Sequence, residues 1–188
     1  MSKTYDRLEQ KHKDFIASQK MFFVATAPLS EEGRVNLSPK GYDSLRIIDD
    51  ETVEWLDLGG SGIETLAHIR ENGRITLMFC AFEGAANILR VYGRGEAIHI
   101  DEPGFDEALA AFPKFERARS IVRIHVDRLM DSCGWGVPFY EFKGERDQLE
   151  RSTNHKPLDE WKAKRYASNA QSIDGLTGLV APDARPEG

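Results

Sequence analysis

Apolar positions along this chain mostly alternate with polar ones over short, closely spaced runs, and few stretches show helical spacing. Residues 21–27 are an apolar run rich in strand formers, closed by Pro28 and a turn reaching Gly33. Residues 34–38 alternate and predict the second arm of a hairpin, interrupted at 39–41. Two strands are predicted over 44–48 and 52–58, joined by the acidic turn 49–51. Residues 75–82 read as a strand buried on both faces. Residues 87–100 read as a long strand that bends or bulges at Gly93 and Gly95. Residues 120–130 alternate, with Val122, Ile124 and Val126 facing one side. Helical spacing is confined to 4–19 (Leu8, Phe15 and Ile16 on one stripe), 63–69 ending at Asn72-Gly73, 103–112, 144–151 and 157–170.

Strands that follow one another without intervening helices favour an antiparallel barrel over a doubly wound sheet. No internal repeat or linker divides the chain. The expectation is one domain over 1–188, with a core of about 20–142, a helical extension over 143–175 and a flexible tail over 176–188. The fold class expected is mainly β with peripheral helices.

The 188 residues, 40% apolar and 30% charged, suit a globular domain with its own core. No apolar run is long enough for a membrane-spanning helix, and the first residues lack a signal-peptide pattern, so a cytoplasmic protein with no membrane partner is expected. A formal charge of −6 argues against a nucleic-acid partner. Two cysteines, Cys80 and Cys133, are too few for a disulfide scaffold or a four-thiolate zinc site. The five histidines show no metal-ligating spacing, and no metal site is expected.

Three features carry candidate chemistry. The first is the Gly59-Gly60-Ser61-Gly62 loop between a strand and a helix, where backbone N–H groups and the helix start favour a phosphate, with Ser61 and Thr65 as hydroxyl donors. A tight strand-to-helix turn is the plainer reading of the same residues. A dinucleotide fingerprint fails, because Thr65 stands where its third small residue belongs. The second is Asn36, Ser38 and Lys40, which at period two share one strand face and offer donors and a positive charge to an anion. An edge strand blocked by Pro39 would look the same. The third is 133–138, where small residues flank Trp135 in a loop and leave a flat ring to stack on another. Cys133 reads as an inert thiol, and His68 and His125 as packing or surface residues.

The order helix, strand, RVNLSPKG, strand, VEWLDLGGSGIETLAHIRENGRITLMF and ILRVYGRGEAI resembles the pyridoxamine 5′-phosphate oxidase-like FMN-binding split barrels. The resemblance runs from about residue 5 to about residue 142 and is most specific over 53–79. It implies a Greek-key split barrel, a homodimer, and FMN in a cleft between the two barrels. By that resemblance Val35, Asn36, Ser38 and Lys40 contact flavin and phosphate, and Trp55, Asp57 and Leu58 lie on the next strand around the ring. Ser61, Gly62 and Thr65 fall at the phosphate. Trp135, Gly136, Val137 and Pro138 cover the flavin from the partner chain.

Two departures stand out. Many members place Arg or Lys where this chain has Glu64 and Thr65, and a glutamate there repels a phosphate. Arg34 and Arg46 are the cations available to offset it. The C-terminal arginine-histidine-aspartate motif of the B6 oxidases is missing from 143–188, so pyridoxamine phosphate is not expected as substrate. The function expected is an FMN-dependent oxidoreductase of unknown substrate, with NADH or NADPH as a candidate electron donor. The alternative is a non-catalytic flavin or haem binder on the same barrel.

Overall fold

The computed structural model describes residues 2–112 and 114–185. The chain begins with strand β1 (Lys3–Tyr5), helix α1 (Gln10–Ser18) and strands β2 (Phe22–Thr26), β3 (Asn36–Lys40), β4 (Leu45–Ile47) and β5 (Thr52–Asp57). Helix α2 (Glu64–Asn72) leads into β6 (Arg74–Cys80) and β7 (Ile88–His99). Helix α3 (Phe105–Leu109), strand β8 (Ser120–Ser132), and helices α4 (Gln148–Thr153) and α5 (Leu158–Ser168) complete the elements, with a 3-10 turn over Pro182–Ala184.

The eight strands form one curled antiparallel sheet in the order β3-β2-β6-β7-β8-β5-β4, with β1 added to β8. The long partners β7 and β8 are its spine, paired from Ile88↔Ser132 to His99↔Ser120. The fold is a mainly β split barrel. Alternation places Val24, Trp55, Leu77, Leu89, Val91, Val122, Ile124 and Leu129 inside it, almost wholly removed from water. Helix α2 closes one end by burying Leu66 and Ile69 against this core, and Gly73 stops it in a left-handed conformation, as the Asn72-Gly73 pair predicts. A second cluster joins Leu56, Phe105, Phe112, Ile121 and Trp161, so α3 and α5 pack around one side of the barrel.

Three local differences from the sequence pattern have physical causes. Residues 3–5 are a strand rather than the start of a helix. They pair with Leu129–Asp131, where Lys3 N–H and Tyr5 O–H also donate to the Asp131 carboxylate at 3.0 and 3.1 Å. Strand β3 continues through Pro39 to Lys40, because β3 is an edge and a missing N–H on its outer side breaks no ladder. Gly93 does sit at a register shift, and a Cβ there would lie 2.3 Å from the His125 carbonyl, so the two strands approach too closely for any side chain.

The chain after 176 is docked rather than free in the described residues. Leu179 is buried in the main core, and Arg185 donates to the carbonyls of Ile100 and Asp101. Residues 186–188 of the expected tail lie outside the described residues. Among the described residues no helix is long and apolar enough to cross a membrane.

Candidate functional site

Strand β3 positions the first group of candidates. Asn36, Ser38 and Lys40 pair with Thr26, Val24 and Phe22 and so face the barrel side, as period two requires. Val35 and Leu37 point outward and are exposed. Asn36 Nδ2 donates to Thr65 Oγ1 at 2.9 Å and lies 3.3 Å from Thr26 Oγ1. Thr26 in turn bonds His68 Nδ1 at 3.0 Å. His68 is fully buried, and burial pushes its pKa below the usual imidazole range, so it is neutral. Asn36 and Thr65 therefore meet, as the family resemblance implies, but each is already the other's partner.

Lys40, about 13 Å along the strand from Asn36 by the usual rise per residue, stands over the Trp55 ring with its Nζ 4.9 Å from the ring centre. Desolvation lowers its pKa, partly offset by Asp57. Lys40 makes no ion pair or hydrogen bond among the described residues. A half-buried ammonium lacking such a partner leaves donors available to a ligand.

Asp57 forms a different centre. It is buried at the end of β5 and accepts from Arg119 Nε and Nη2 at 3.0 and 2.7 Å, and Arg119 is itself buried. Arg119 also donates to the Gly62 carbonyl at 2.8 Å. Arg165 of α5 donates to the carbonyls of Gly59 and Gly60 at 2.7 and 3.0 Å, and Asn169 Nδ2 to that of Ser61 at 3.1 Å. The glycine loop is thus held by its carbonyls, through two arginines and an asparagine. A phosphate cradle works through N–H groups instead.

The start of α2 is covered as well. Glu64 turns back on the loop, so that a Cβ on Gly62 would lie 2.3 Å from its Oε2. Its Oε1 accepts the N–H of Ile173 at 3.2 Å. Arg34 does not compensate, because its guanidinium is paired with Asp174. Arg46 does not either: it pairs with Asp43 at 2.7 Å and lies over the Phe112 ring. The residues at this helix end do not fit a phosphate.

Trp135, Gly136, Val137 and Pro138 lie apart from these groups. They follow β8 in a turn closed by Val137 N–H to the Gly134 carbonyl at 2.9 Å, beside Asn87. Trp135 is 86% exposed. Leu58 borders a small depression with Phe115 and Lys114. Within one chain the candidates form separate groups rather than a single site.

One large opening is lined, apart from Lys40, by residues that the sequence did not single out as site candidates. A cavity of about 950 Å³ lies between the end of α1, the start of β2, the end of β3 and the β6–β7 connection. Phe15, Met21, Phe23 and Phe82 wall it, with Lys40 at one side. An arm of irregular chain over 139–146 covers it with Tyr140 and Phe142. Tyr140 N–H donates to the Phe82 carbonyl at 3.0 Å, the two rings lie 5.5 Å apart, and Tyr42 O–H donates to the Arg146 carbonyl at 2.6 Å. The sequence signal for it is the aromatic cluster Phe139, Tyr140 and Phe142.

Residues 8–133 match the family model described as pyridoxamine 5′-phosphate oxidase. The chain belongs to the pyridoxamine 5′-phosphate oxidase family. The pyridoxamine 5′-phosphate oxidase family protein ustO of Aspergillus flavus is 32% identical over 197 residues, covering 93% of this chain and 77% of its own. The H111A form of HupZ from Group A Streptococcus is similar in structure, with 26% identity and a TM-score of 0.55 over 66% of this chain and 98% of that one. A Lactobacillus delbrueckii protein provisionally assigned as a pyridoxamine 5′-phosphate oxidase shares the fold at 16% identity and a TM-score of 0.51, over 66% of this chain and 94% of that one. The family match ends before the arm and before α5, so the covering of the cavity and of the glycine loop comes from chain outside the matched region.

Proposed function

We propose that this member of the pyridoxamine 5′-phosphate oxidase family is a flavin-dependent oxidoreductase whose isoalloxazine ring lies in the aromatic-walled cavity beside Lys40. The observation that carries this reading is the cavity itself. Its roughly 950 Å³ is at the upper end of small-ligand sites, which bury flat aromatic ligands among apolar side chains with a few placed polar groups. Phe23, Phe82, Tyr140 and Phe142 supply faces and edges for a planar ring, and Lys40 supplies the polar group. A lysine ammonium beside an isoalloxazine hydrogen-bonds its carbonyl edge and favours the electron-rich ring. FMN is the flavin that the family resemblance implies, and the cavity's volume and aromatic walls support its ring end there.

A flavin in this place supplies acceptance of a hydride and its return to oxygen or another acceptor. The chain's own residues bind and orient. The rings exclude water, Lys40 fixes one edge, and the arm over 139–146 limits access. A homodimer is part of the proposal: Val35 and Leu37 form an exposed apolar edge on β3, and the outer sheet face next to Val35 has a depression of about 420 Å³ between Arg74, Tyr92 and Arg94. The haem alternative has less support, because among the described residues the cavity lining includes neither histidine nor cysteine and offers only Met21, Tyr42 and Tyr140 as axial ligands.

The test is titration with flavin, followed by quenching of flavin fluorescence, on the natural chain and on Lys40→Ala. The variant loses one charge-assisted contact, and its affinity drops by about tenfold. Equal affinity would remove Lys40 from the site. Bleaching of the bound flavin by NADH or NADPH, with recovery in air, separates an enzyme from a carrier.

A further inference from the structure

The chain that crosses the cavity mouth is held differently at its base, its middle and its far end. Gly134, just after β8, is clamped: a Cβ there would lie 2.8 Å from the Asn87 backbone. Two residues on, Gly136 has nothing within 4 Å of that position. Neither has Gly144, whose φ of +143° is a conformation that suits glycine. Residues 136–144 therefore run between two unobstructed pivots. The rings they carry are not spent on the core. Phe139, Tyr140 and Phe142 are all exposed, yet Tyr140 and Phe142 line the cavity. What holds them is a latch on the β6–β7 connection. Tyr140 N–H donates to the Phe82 carbonyl and its ring meets the Phe82 ring, while Phe142 N–H donates to Glu83 Oε1 at 3.2 Å. Beyond Gly144, the Tyr42 hydroxyl fixes the far end through the Arg146 carbonyl.

We propose that residues 136–144 are a strap that swings as one piece about Gly136 and Gly144, unlatching from Phe82 and Glu83 to admit a flat ligand and closing over it. The proposal deepens the flavin reading and rests on it for its ligand. Neither pivot has to push a neighbour aside. Hydrogen bonds on exposed, irregular chain belong to the low-stability end of a fold, so the latch opens while the sheet stays intact. The closed strap is favoured when the cavity is filled, because Tyr140 and Phe142 then cover an apolar face instead of meeting water. Phe139 is outside the cavity lining and takes no part in the closure.

Hydrogen exchange followed by NMR tests the strap without any ligand. Glu83 is exposed, so Glu83→Ala removes the latch acceptor and leaves the core alone. The Phe142 amide loses its partner directly. A strap that moves as one piece also exposes the Tyr140 amide, whose own acceptor is untouched, and its exchange speeds up by about tenfold. The amides of β6 and β7 keep their protection, and Glu83→Gln, which retains an acceptor, restores most of that at Tyr140. Unchanged exchange at Tyr140 in Glu83→Ala overturns the strap. Stopped-flow mixing with FMN tests the gate. In Glu83→Ala, entry and release both speed up by about tenfold and affinity changes little. Faster release with unchanged entry would make Glu83 a wall contact and overturn the gate. Phe139→Ala is the control and leaves both rates as they are; an equal acceleration there would overturn the placing of the latch at Phe82 and Glu83. Absence of FMN binding to every one of these proteins removes the flavin reading, and exchange at Tyr140 still decides the strap.

Discussion

Two buried polar residues show how charge is managed at the residue scale. Asp57 lies inside a strand whose neighbours are nearly all buried, and an isolated carboxylate there would be very costly. Arg119 makes two bonds to it and spends its remaining donors on the glycine loop, so the pair also fixes that loop. His99 is the opposite case, a buried base kept neutral. Arg70 can only donate, so His99 Nε2 accepts from it at 3.3 Å, and Nδ1–H donates to Ser120 Oγ at 2.8 Å. Burial, with Arg70 and Arg185 nearby, drops its pKa to about 4. The unfolded chain, with an ordinary value near 6.5, takes up the proton first. Its contribution to stability is therefore complete above about pH 6.5 and is lost as pH falls toward about 4, by up to roughly 3 kcal/mol. Urea unfolding across that range shows the loss, and His99→Gln flattens it. A variant as acid-sensitive as the natural chain would assign the loss to other groups.

The docked segment after α5 is the feature at the scale of elements that most changes the site. Gly178 is its tight point: a Cβ would lie 2.3 Å from the Asn169 carbonyl and 2.6 Å from Ile63 Cγ1. Gly178→Ala therefore lifts the segment from the start of α2 at a cost of about 1–3 kcal/mol. Hydrogen exchange reads it: the amides of Ile173 and Leu179 lose protection and those of β7 and β8 keep theirs. Unchanged exchange at Ile173 would mean that the segment is held elsewhere. The strands from β2 to β8, helix α2 and its stop at Gly73 were legible in sequence because alternation and turn residues are local signals. Strand β1 was hidden because three residues carry no period, and its partner lies more than a hundred positions away. Distance along the chain also hid the Asp57–Arg119 pair, 62 positions apart, and the docking of 169–179, whose anchors are single residues such as Asn169 and Leu179. Asn36, Ser38 and Lys40 were correctly placed on one face, but period two says nothing of what stands opposite, and so did not reveal Asn36 spent on Thr65 or the cavity next to Lys40.

At the scale of the whole molecule, a split barrel supplies a rigid frame while chain outside the family's matched region supplies both covers, the arm over the cavity and α5 with its following segment over the glycine loop. HupZ is similar over 66% of the chain, whereas the match to ustO spans 93% of it and so takes in chain beyond the barrel as well. The central claim is that a dimer of this chain carries a flavin. Analytical ultracentrifugation of the protein with FMN, followed at a flavin absorbance wavelength, reads mass and binding together. The expected result is a coloured boundary sedimenting at twice the mass of the chain. Colour that remains with the free ligand, whatever the mass of the protein, would contradict it.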